Sequence, residues 1–100
     1  MSVLMIGRIK GDVAKFRTAL AERPDEFAAA AKEAQAAGAV HHRFGIGDGY
    51  VVVVDEWETP EQFQAFFGNP ELQAFIASAG GDPSDPDITI VEAIESADQF

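Results

Sequence analysis

Residues 39–57 run Ala39-Val40-His41-His42-Arg43-Phe44-Gly45-Ile46, then Gly47-Asp48-Gly49, then Tyr50-Val51-Val52-Val53-Val54-Asp55-Glu56-Trp57. Two apolar runs rich in β-branched and aromatic residues, separated by Asp-Gly, predict a β-hairpin. If Asp48 and Gly49 form a two-residue turn, the cross-strand partners follow by counting outward. Ile46 then faces Val51, Phe44 faces Val53, His42 faces Asp55 and Val40 faces Trp57, all on one face of the sheet. The opposite face carries Gly45 with Val52, Arg43 with Val54, and His41 with Glu56. A three-residue turn with a bulge shifts this register by one and pairs His41 with Asp55 instead. Under either register a histidine meets a carboxylate near Trp57.

Downstream, Thr59-Pro60-Glu61-Gln62 opens a helix, with Thr59 as cap, Pro60 at the first helical position and Gln62 completing a capping box. Phe63, Phe66 and Phe67 form its apolar stripe. Gly68-Asn69-Pro70 interrupts the helix and restarts it, and Leu72, Phe75, Ile76 and Ala79 carry the stripe on to Gly80-Gly81. A polar loop over 82–87 leads to a last strand, Ile88 to Ile94, and a short tail. Upstream, the continuous apolar run Val3 to Ile9 suits a strand covered on both faces. Asp12 is placed to cap a helix, and Pro24 forces a kink or a second segment. The alanine-rich run Ala28 to Ala37 favours helix and close approach to a neighbour, and Gly38 ends it.

The order β-α-β-β-α-β predicts the ferredoxin-like α+β fold, a four-stranded antiparallel sheet with its helices on one face. Val3 to Ile9 and Tyr50 to Val54 do not alternate as a solvated sheet face requires. A second copy of the sheet is the simplest cover for the other face, so a homodimer is expected.

One hundred residues suit one domain spanning 1–100. An apolar fraction of 47% excludes a disordered tail protein despite a net charge of −10. The acid excess and the scattered seven Lys and Arg residues argue against nucleic acid or an anionic membrane as partner. With no cysteine, disulfides, thiolate nucleophiles and Cys-ligated metal sites are excluded. The N-terminal residues lack the pattern of a signal peptide, and no apolar run reaches the ~20 residues of a membrane span. The expected location is the cytoplasm.

The run Val51 to Thr59, followed by an aromatic helix and Asn69-Pro70-Glu71-Leu72-Gln73-Ala74-Phe75, resembles the antibiotic-biosynthesis-monooxygenase family of dimeric α+β barrels. Ala37-Gly38-Ala39 and the turn before Tyr50 fit the same pattern, which covers about two-thirds of the chain. The resemblance implies a homodimer, no cofactor, and for some members oxygenation of phenolic or quinol-like compounds; other members degrade haem, and many have no known activity. The helical histidine that family members often carry falls at Phe66 here, and no histidine occurs between Thr59 and Gly80. Haem degradation is therefore not expected.

For chemistry, His42 and Asp55 are the catalytic candidates. A carboxylate beside an imidazole fixes its tautomer and raises its basicity, which suits a general base for a phenolic or activated C–H proton. The same pair can equally be two half-buried polar groups satisfying each other at a sheet end. Trp57, Phe44, Phe66 and Phe67 are candidate walls of a pocket for a small aromatic ligand, or simply core. Trp57 also has an indole N–H in need of a partner. Arg8, Arg43 and His41 are candidate ligand contacts if the ligand is anionic, or else ion-pair partners. Adjacent histidines on a strand face opposite ways, so they cannot share a metal ion, and no metal site is expected. Two functions follow: a small-molecule pocket protein akin to cofactor-independent monooxygenases, or a non-catalytic structural or ligand-binding homodimer. A cavity of at least ~300 Å³ touching His42 and Trp57 favours an enzyme or ligand binder over a filled interior.

Overall fold

The central hairpin sets the frame, and the computed structural model, which describes residues 2–100, folds the rest around it. Strand β2 (Ala39–Ile46) and strand β3 (Tyr50–Trp57) pair antiparallel. The Gly47 N–H donates to the Tyr50 carbonyl at 2.9 Å, which closes a two-residue turn on Asp48 and Gly49. Only Gly49 has positive φ there, at 78°, so the turn needs one glycine and not two. His42 therefore faces Asp55 and His41 faces Glu56, and the three-residue turn does not occur.

One residue upsets the counted register. Ala39 faces Trp57 and His41 faces Glu56, so Val40 is an extra residue in a bulge, exposed rather than opposite the indole. The bulge puts Ala39 and His42 on the same face despite their odd spacing.

Strand β1 (Val3–Lys10) lies between β3 and β4 (Asp87–Glu92), giving the order β2-β3-β1-β4 with every pair antiparallel. The last strand ends at Glu92, short of the expected Ile94, which is 84% exposed. One backbone bond follows the Val3–Glu92 pair, from the Ala93 N–H to the Ser2 carbonyl at 3.0 Å, and the chain then leaves the sheet.

Between β1 and β2, Asp12 accepts the Lys15 N–H at 3.0 Å and caps helix α1 (Val13–Glu22). Pro24 starts a second helix, α2 (Pro24–Ala37), because it cannot donate within the first. Gly38, at φ 121°, ends α2 and turns the chain straight into β2. Between β3 and β4, Thr59 caps α3 (Pro60–Phe67) and Asn69 caps α4 (Pro70–Ser78), each followed by proline at the first helical position. The Gln62 side chain accepts from the Thr59 hydroxyl at 3.1 Å, in place of the expected capping-box bond to the Thr59 backbone.

Met5, Gly7, Ile9, Val51, Val53, Asp55 and Trp57 face the helices. Two apolar clusters result, one around Phe16, Ala19, Val51 and Ala79, the other around Met5, Trp57 and Phe63. The opposite face of the sheet is uncovered in the single chain. Leu4, Ile6, Val54 and Val91 stand there between 37% and 47% exposed.

Candidate functional site

Between the two clusters the helices do not close on the sheet. A cavity of about 480 Å³ remains, walled by side chains of all four helices and all four strands of the described residues. Its floor is Gly7, Val53 and Phe44, and its roof is Ala28, Ala31 and Ala34 on α2 with Phe66 and Phe75 on the later helices. The alanine-rich run thus does two things. Ala34 and Ala37 approach the Trp57 cluster closely, while the small side chains nearer the start of α2 leave space. Phe27 and Phe75 meet edge-on at 4.9 Å, and Phe16 and Phe44 at 5.1 Å, forming an aromatic end wall.

At the other end sits a polar chain. Asp55 is 7% exposed, and both of its oxygens are engaged. Oδ1 lies 2.6 Å from His42 Nδ1, and Oδ2 accepts the indole N–H of Trp57 at 3.0 Å. Strand geometry supplies all three positions: residues 55 and 57 share a face by alternation, and the hairpin register sets His42 opposite Asp55. Trp57 is 1% exposed, wedged against Phe63 and Phe66, so the indole cannot swing away from the carboxylate.

A carboxylate can only accept, so the ring nitrogen facing it carries the proton. Nε2 of neutral His42 then holds the free lone pair. The imidazole lies on the cavity wall with 39% of its side chain exposed and its ring edge-on to Phe44 at 4.5 Å. A proton acceptor oriented through its far nitrogen, at the rim of an apolar chamber, is the chemistry this arrangement offers.

Six of the sequence-predicted site residues converge here: His42, Asp55, Trp57, Phe44, Phe66 and Phe67. The other three do not. Arg8 points to the opposite face, its guanidinium 3.7 Å from the centre of the Tyr50 ring. His41 is exposed on that same face, and it makes no ion pair with Glu56, whose carboxylate accepts from the Ser2 hydroxyl. Arg43 borders the cavity at the edge strand, while its register partner Val54 assigns its side chain to the outer face. The partner that the indole N–H needs is Asp55. Gly7, Phe27 and the α2 alanines escaped the sequence reading as cavity walls. Small residues at inward positions were the available signal. Among the described residues no group of three or more His, Asp or Glu side chains converges as a metal site, and no helix is long and apolar enough to cross a membrane.

No family model matches the sequence, and no curated protein matches it. Solved structures do match over nearly the full length. SnoaB from Streptomyces nogalater, described as a cofactor-independent oxygenase, is 16% identical, with 98% of each chain covered and a TM-score of 0.64. The ActVA-Orf6 monooxygenase of Streptomyces coelicolor, solved in complex with nanaomycin D, is 14% identical, covering 99% of this chain and 93% of that one at a TM-score of 0.64. The NE2512 protein of Nitrosomonas europaea, of unknown function, is 20% identical over 99% of this chain and 95% of its own, at a TM-score of 0.63. The chain therefore has the ferredoxin-like α+β fold of the antibiotic-biosynthesis-monooxygenase type.

Proposed function

We propose that this protein binds a small hydrophobic aromatic compound in the cavity and acts on it as a cofactor-independent oxygenase, with His42 as general base and Asp55 as its orienting partner. The observation that carries the reading is a cavity of about 480 Å³, otherwise apolar, with this oriented imidazole on its wall. That volume lies within the roughly 300–1,000 Å³ of small-molecule sites. SnoaB and ActVA-Orf6 share the fold and are described as oxygenases, which supports the same class of reaction.

Nε2 removes a proton from a phenol or an activated ring CH₂. The resulting anion is electron-rich enough to reduce dioxygen, the co-reactant. Oxidation of CH₂ to C=O consumes one O₂, with one oxygen atom retained and the other leaving as water. Phe44, Phe66 and Phe67 hold the ring system by stacking and exclude water. The free face of the sheet is covered by a second copy, so the working form is a homodimer of this one domain.

Oxygen consumption with a panel of phenolic and quinol compounds tests the reaction. Turnover that falls roughly 10²- to 10⁴-fold in His42→Gln, with ligand affinity kept, is the expected result. A second reading is a ligand-binding dimer without chemistry. It is favoured by one observation: among the described residues every buried polar side-chain atom has a partner, so the His42–Asp55–Trp57 chain is complete without a substrate. Binding without oxygen uptake for any of these compounds would select it.

A further inference from the structure

We propose that Trp57 is a positioning residue for His42, acting through Asp55 and without needing to reach the ligand by its polar edge. The proposal rests on His42 and Asp55 being the working pair. Its geometry is a linear relay: the indole N–H donates to Oδ2 at 3.0 Å, and Nδ1–H of the imidazole donates to Oδ1 at 2.6 Å. A carboxylate held from one side only can rotate about its terminal torsion and present either oxygen. Held from both sides it has one orientation, and so does the imidazole hydrogen-bonded to it. The indole is the fixed end, buried and pinned between Phe63 and Phe66.

The relay also couples charge. At the buried Asp55 carboxylate, two donors to one acceptor group compete for its electron density. When His42 gains a second proton at Nε2, its bond to Oδ1 becomes an ion pair and draws charge away from Oδ2. The Trp57 bond then weakens. The charged groups lining the cavity near this link are few, and the one besides the pair itself, Arg43, keeps its charge over the pH range in which imidazole titrates. Of the cavity walls, β2 brings only His42 and Arg43, β3 brings Asp55, and the inward residues of β1, β4 and the four helices are apolar among the described residues.

The chain has one tryptophan, so an ¹⁵N-labelled sample gives a single indole N–H resonance, and its two histidines can be followed beside it. The expected result is that this resonance moves upfield as pH falls, by more than its linewidth, with the midpoint of His42 rather than that of His41. In His42→Gln it stays still. An indole signal that does not move while His42 titrates, or that follows His41, overturns the proposal. In Trp57→Phe the carboxylate still accepts the Nδ1 proton but is free to rotate, so the Nδ1–H resonance of His42 is expected to exchange with solvent faster than in the parent protein. Unchanged protection of that Nδ1–H in the variant also overturns it. Should Trp57→Phe not fold, the titration of the parent protein decides. If the parent's His42 is itself a tautomer mixture, the His42–Asp55 pair fails too, and the two failures are told apart.

Discussion

Asp55 holds two donors at once, so losing it exposes a cost on both sides. Asp55→Ala leaves the indole N–H and the imidazole N–H without an acceptor beside a largely apolar cavity, and about 3 kcal/mol of stability is expected to go. Asp55→Asn is not an easy escape, because an amide offers one acceptor oxygen and turns its NH₂ toward the other donor. Urea denaturation of the two variants checks both statements, with Asn intermediate. A different carboxylate reports on pH. Glu26 bonds the Arg23 guanidinium, which lowers its pKa below the ordinary carboxylate value. Its contribution is therefore complete at neutral pH and is lost only as pH falls through that lowered value. Glu26→Gln should lower the denaturation midpoint slightly at pH 7, and the difference from the parent should vanish in acid below that lowered value. That a histidine meets Asp55 near Trp57 was legible from the Asp-Gly turn and counting, but the choice of His42 over His41 waited on the turn length, which the Gly47–Tyr50 bond fixes. The bond from Trp57 to Asp55 was not read from the sequence: the spacing places both on one strand face, but an indole has several possible partners until packing fixes its plane.

At the level of the elements, helix boundaries followed from capping chemistry: Asp12, Pro24, Gly38, Thr59 and Asn69 each mark one in the sequence and in the fold. Bulge placement did not follow. Val40 looks like any strand residue, and its extrusion is decided by what Ala39 must do, which is to fit a small side chain against the buried indole. The cavity was equally hidden, since alanine in a helix serves close packing and empty space alike. Gly38 gives the sharpest test at this scale. It has positive φ, and a Cβ there would come within 2.5 Å of the Gln62 side chain, while its carbonyl accepts the Glu58 N–H. Gly38→Ala is expected to cost about 1–2 kcal/mol, against less than 1 for Gly45→Ala, where the added methyl meets only ordinary contact with Val52. Thermal melts of the two variants make the comparison.

For the whole molecule, the doubly apolar strands were visible in the sequence, and the structure assigns Leu4, Ile6, Val54 and Val91 to the uncovered face. If that face joins two copies, Val54→Asp inserts a charge at its centre and should halve the mass seen by light scattering at micromolar concentration. A parent protein already at 10.7 kDa would remove the homodimer from the proposal. Inside, the sole indole has a further use. Trp57 is sealed from bulk water yet forms part of the chamber wall, beside a carboxylate and two phenylalanine rings. Its emission will lie at the short-wavelength end of the tryptophan range and resist quenching by acrylamide. A planar guest entering the chamber will change that emission directly, so the protein carries its own optical gauge of occupancy and needs no attached dye.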